Sequence, residues 1–165
     1  MNKSKQKGSI MYRGSFYRKI IPLIIAGCLV IAGIFLLRMI FSSPADKAAA
    51  IVQEFYEYEQ VGNLSASWEL FHPQMKERFS KGHYIQDRAH VFMNHFGVET
   101  FSFKIGNSEE VRDWKMAKNS PVFKKVYKVP ITQEFKGKYG NFSINQDVFA
   151  VKEDGKWTIL WDYKK

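Results

Sequence analysis

Between residues 83 and 94 the chain sets histidine, carboxylate and amide side chains at helical spacing. His83, Asp87, His90 and Asn94 fall at i, i+4, i+7 and i+11. Histidine and carboxylate one or two turns apart can share a metal ion. The stripe lies opposite an apolar one, Ile85, Ala89, Phe92 and Phe96, which turns it toward solvent, and its spacing is not that of an H-E-x-x-H zinc helix. A second candidate is Asp147, on an apolar strand and on one face with Phe149 and Val151. A carboxylate buried there would have a raised pKa and could serve as a general base. Ser143 and Asn145 share that spacing, so the face also reads as a solvated one. His72 and His95 read as boundary and packing residues. There is no Gly-rich phosphate loop, nucleophile elbow or cysteine pair, and no cofactor is implied.

These side chains follow an apolar run that decides where they act. Ile20 to Leu37 holds no charged residue, and six basic residues precede it: Lys3, Lys5, Lys7, Arg13, Arg18 and Lys19. A membrane-spanning helix needs about 20 mainly apolar residues. Residues 20–41 are therefore expected to span the bilayer as a signal-anchor, with Arg38 snorkelling at the far edge and Pro22 in the first turn, where its missing N–H costs little. Basic flanks stay in the cytoplasm. Residues 1–19 then form a basic cytoplasmic tail, and 42–165 an extracytoplasmic domain at the plasma membrane. A cleaved signal has a shorter apolar core. A further reading lies in Ile25-Ala26-Gly27-Cys28, which resembles a bacterial lipobox with Cys28 as the lipidated residue. The apolar stretch continues past Cys28, whereas a mature lipoprotein turns polar there.

The net charge of +9 invites a nucleic-acid reading. Setting aside the tail and Arg38 leaves 18 basic against 16 acidic residues. The outer domain is thus nearly balanced, its charges are interspersed, and no phosphate-tracking patch is present. The only cysteine is Cys28, so the outer domain must hold together by packing.

Within the outer domain Ser43-Pro44 reads as a helix start. Ala48, Ile51, Val52, Phe55 and Tyr58 follow at helical spacing, and Gly62 ends the helix. A second helix carries Leu64, Trp68, Phe71 and Met75, broken or kinked at His72-Pro73. Ser80 caps a third, which Gly97 ends. The period then changes to two. Phe101, Phe103 and Ile105 alternate with polar residues, and Gly106–Pro121 reads as a polar connection. Tyr127, Val129, Ile131, Gln133 and Phe135 line one strand face, interrupted by a bulge or edge at Pro130. Another strand spans Phe142 to Val151, and Asp154-Gly155 turns into the last, with Trp157, Ile159, Trp161 and Tyr163. The fold class expected is α+β: three helices packed on a curved antiparallel sheet of about four strands.

This order, the Gly62–Pro73 segment, the capped helix after Ser80 and the closing Asp154–Ile159 hairpin resemble the nuclear-transport-factor-two-like superfamily, the cone-shaped fold shared with ketosteroid isomerase. The resemblance covers roughly residues 45–163. It implies a cone whose interior Trp68, Tyr84, Phe103, Tyr127 and Trp161 would either line as a ligand pocket or fill as core. Membrane-anchored domains of this kind are mostly spacers or docking modules. The resemblance therefore implies an envelope protein partner or a homo-oligomer, beside the lipid bilayer.

Overall fold

A computed structural model describes residues 11–163, with side chains at 11–19, 35, 37–41 and 92–94 outside that description. The first ten residues of the basic tail lie outside the described residues. The chain divides into two compact units, Met1–Ser42 and Ser43–Lys165.

The described part of the first unit holds one helix, α1 (Met11–Phe41). It begins nine residues before the apolar run, so Pro22 lies inside the helix and not in its first turn. A proline there leaves the carbonyl four residues earlier without its usual donor. Among the described residues no helix is long and apolar enough to cross a membrane.

The second unit is α+β. Its helices are α2 (Pro44–Gln60), α3 (Leu64–Glu69), α4 (Pro73–Arg78) and α5 (Lys81–Ala89), followed by a π-helical turn, His90–His95. Five strands then form one antiparallel sheet: β1 (Phe101–Ile105), β2 (Glu109–Lys115), β3 (Val122–Gly137), β4 (Gly140–Glu153) and β5 (Lys156–Trp161).

Ser43 caps α2 as the sequence predicts. Its hydroxyl accepts the Asp46 N–H at 3.1 Å, and the Asp46 carboxylate accepts the Ser43 N–H at 2.9 Å. Hydrogen bonds from the Ser43 side chain and then its backbone hold the Asp46 carboxyl below its ordinary value. The sign follows directly: this contribution is complete above about pH 4 and fades as pH falls through the depressed folded value. Replacing Ser43 with Ala should cost about 1 kcal/mol of stability, read from urea titration of tryptophan fluorescence.

The second predicted helix is two. Proline at 73 forces His72 out of helical geometry (ψ 150°), and His72 then caps α4 by accepting the Gln74 N–H on Nδ1. With Nδ1 an acceptor, Nε2 carries the proton and donates to Glu153 at 2.7 Å. The freed segment Leu70–His72 runs beside β5. The His72 N–H donates to Ile159 O at 3.0 Å and the Ile159 N–H to Leu70 O at 2.9 Å.

The sheet has one more strand than expected. β3 is 16 residues long, while β1 pairs only with its second half, Ile131–Phe135. The first half needs another partner to satisfy its backbone groups. Polar residues 109–115, within the supposed connection, supply it as β2, in register from Glu109↔Lys128 to Lys115↔Val122. Pro130 sits at the seam between these two partners. Its carbonyl accepts the Gly106 N–H on that side, so its missing donor falls where one partner strand gives way to the next.

Tyr127, Val129, Ile131, Gln133 and Phe135 are all buried, as their alternation predicts. On α2 the buried residues are Ala48, Val52, Phe55, Tyr56 and Glu59, so Tyr58 is not a core residue. β4 is buried on both faces from Val148 to Val151. One face meets the helices, and on the other Trp114 stacks on Phe149 at 4.2 Å.

Candidate functional site

The helices place one charged group where the sequence pattern expects an apolar one. Ala48, Val52, Phe55 and Glu59 recur at i, i+4, i+7 and i+11 on the buried face of α2. The Glu59 side chain keeps 1% of its surface, and that of Arg88 on α5 keeps 21%. Ser67 from α3 and Tyr84 from α5 complete the cluster. Glu59 Oε1 accepts from the Ser67 hydroxyl at 2.6 Å and from the Tyr84 hydroxyl at 2.5 Å. Its Oε2 accepts from Arg88 Nε at 2.8 Å and also from Arg88 Nη2. Burial, and then the negative charge of Glu59, push the Tyr84 phenol far above its ordinary range. Tyr84 is thus a neutral donor at any working pH.

Both oxygens of Glu59 are engaged, and its counter-charge is fixed alongside. A general base needs a free lone pair within reach of a substrate proton. Glu59 is instead the hub that ties α2, α3 and α5 together. A cleft of about 60 Å³ borders it, lined among others by Leu64, Arg88, Val98, Phe101 and Phe135. Small-molecule sites are usually about 300–1,000 Å³, so this cleft is well below that range.

The interior beside the cluster is closed by rings. Phe71 meets Phe55 at 5.2 Å, Tyr84 at 5.2 Å and Trp161 at 5.0 Å between centroids. Phe55 meets Trp161 edge-on at 6.1 Å. Of the five residues expected around a pocket, only Tyr84 and Trp161 meet, at 6.4 Å. Phe103 packs on Tyr56 at 5.7 Å and Tyr127 on Trp157 at 5.6 Å. Trp68 donates its indole N–H to Phe79 O at 2.8 Å, and the Lys76 ammonium lies over its ring. All five belong to one apolar core, where they pack against neighbouring side chains.

Asp147 is exposed and pairs across the sheet with Pro130. It lies on the solvated reading of its strand, with Ser143 and Asn145 also exposed. His83, Asp87 and His90 are exposed as well. Among the described residues no three His, Cys, Asp or Glu side chains gather to hold a metal ion. The α-helix ends at Ala89 and a π turn, His90–His95, follows. That turn brings His95 beside His90. The apolar stripe loses phase with it: Phe96 is partly exposed and packs on Phe142 at 5.1 Å. Cys28 is an exposed free thiol within the uninterrupted helix α1.

Compared with known proteins, the chain matches no family model and no curated sequence. Its function is therefore read from its own residues.

Proposed function

We propose that this chain is a single-pass bacterial membrane protein presenting a non-enzymatic binding or assembly domain on the outer face of the plasma membrane. Residues 20–41 are the anchor, the basic tail faces the cytoplasm, and the domain after Ser43 is of the nuclear-transport-factor-two-like kind. One observation supports the non-enzymatic part: Phe55, Phe71, Tyr84 and Trp161 pack ring against ring in the interior, and the buried carboxylate beside them accepts from Ser67, Tyr84 and Arg88. The anchor is supported by the charge-free run Ile20–Leu37 and the six basic residues before it. Only Ser42 and Ser43 separate α1 from α2, which confines partners to the neighbourhood of the membrane.

The test has two arms. Protease added to intact protoplasts should remove the domain after Ser43 and leave the tail protected. A domain that survives until the membrane is permeabilised overturns the orientation. Photo-crosslinkers placed at exposed sheet positions such as Asn145 should trap one discrete envelope protein or a second copy of the chain. Saturable binding of a small apolar ligand by the wild-type protein, with no such adduct, would favour a receptor instead.

A further inference from the structure

We propose that His90 and His95 form a two-imidazole binding site for a tetragonal divalent transition metal, copper(II) or nickel(II). In an α-helix, residues five apart lie about 140° apart around the axis and cannot meet. Here the segment is π-helical, with the Phe96 N–H donating to Val91 O across five residues at 3.2 Å. That wider turn brings the two histidines together. π turns are rare and occur frequently at functional sites.

The geometry of the pair identifies what fits between the rings. The Nε2 atoms are 2.9 Å apart, while the ring centres are 4.5 Å apart. The rings therefore converge toward their Nε2 ends. An ion at the usual metal–imidazole bond length of about 2.0–2.1 Å from both nitrogens would see a pair 2.9 Å apart at about a right angle. A right angle places the two nitrogens in adjacent positions of a square-planar or octahedral ion. A tetrahedral ion would hold them further apart, at ~3.4 Å. Neutral imidazole ligands in tetragonal geometry suit copper(II) and nickel(II), and copper(II) binds most tightly among the first-row divalent ions. Without metal, the Nε2–H of one ring donates to the other. With metal, both protons reside on Nδ1, and solvent can fill the remaining positions because both residues are exposed.

This site is independent of the membrane reading. It is tested on the full-length chain in detergent micelles near neutral pH, titrated with copper(II) and followed by electron paramagnetic resonance. The wild-type protein should bind one ion with a tetragonal spectrum and nitrogen splitting from two imidazoles. His95→Ala and His90→Ala should each weaken binding by about tenfold to a hundredfold, because the second imidazole acts at high effective concentration, and each should show one imidazole. His83→Ala should leave both readouts unchanged. Circular dichroism confirms that the exposed-site variants remain folded. Equal affinity and an unchanged spectrum in His95→Ala would overturn the site, as would wild-type binding no tighter than in a variant carrying both His90→Ala and His95→Ala.

Discussion

Replacing Arg88 with Met should destabilise the protein by about 3–5 kcal/mol, the usual cost of stranding one member of a buried ion pair. The loss arises from what remains. Glu59 would keep its charge with 1% of its side-chain surface in contact with solvent, and only the Ser67 and Tyr84 hydroxyls would still bond it. Glu59→Gln should cost less, because Arg88 retains 21% of its side-chain surface and can turn toward water. The double variant Glu59→Leu, Arg88→Met should recover most of the loss, since an apolar pair of similar size avoids the desolvation of both charges. Urea titrations of the full-length chain, with tryptophan fluorescence as readout, measure all three variants. If Arg88→Met matched the wild type, Glu59 would not be the hub that joins the three helices.

The contrast between Glu59 and its neighbours shows where sequence reasoning succeeds and fails. β3 was legible because Tyr127 to Phe135 alternate strictly, and alternation is a direct consequence of strand geometry. The closing hairpin was legible because Asp154 and Gly155 both adopt positive φ, 49° and 79°, which is what a two-residue turn demands. β2 was not legible. Its one buried residue is Trp114, and the need for it comes from the length of β3, which composition does not reveal. Glu59 is hard to read from sequence because a lone carboxylate reads as surface. The available signal was its phase with Ala48, Val52 and Phe55, which places it on the buried face. The π turn left no signal, since one extra residue per turn alters phase without altering composition. The His90–His95 pair is therefore visible only in three dimensions.

The second large effect concerns the packed interior, and it bears on function as well as stability. Phe71→Ala should cost about 3–5 kcal/mol, because the ring is buried and its removal leaves a cavity that rigid neighbours cannot close. Those neighbours are Phe55, Tyr84 and Trp161, at 5.0 to 5.2 Å for Phe71. The backbone on both sides of Phe71 is held by β5 through Leu70 and His72, which further limits collapse. Tyr139→Ala, at a residue 84% exposed, should change stability by no more than about 0.5 kcal/mol. A cavity lined by apolar rings stays dry and accepts a small aromatic molecule. Benzene should therefore raise the melting temperature of Phe71→Ala and leave that of the wild type unchanged. The wild-type result is the decisive one for function. A filled interior has no room for benzene. Equal stabilisation of the wild type by benzene would mean that the rings part readily to admit a guest. The binding-module reading would then give way to a receptor that opens on contact with its ligand.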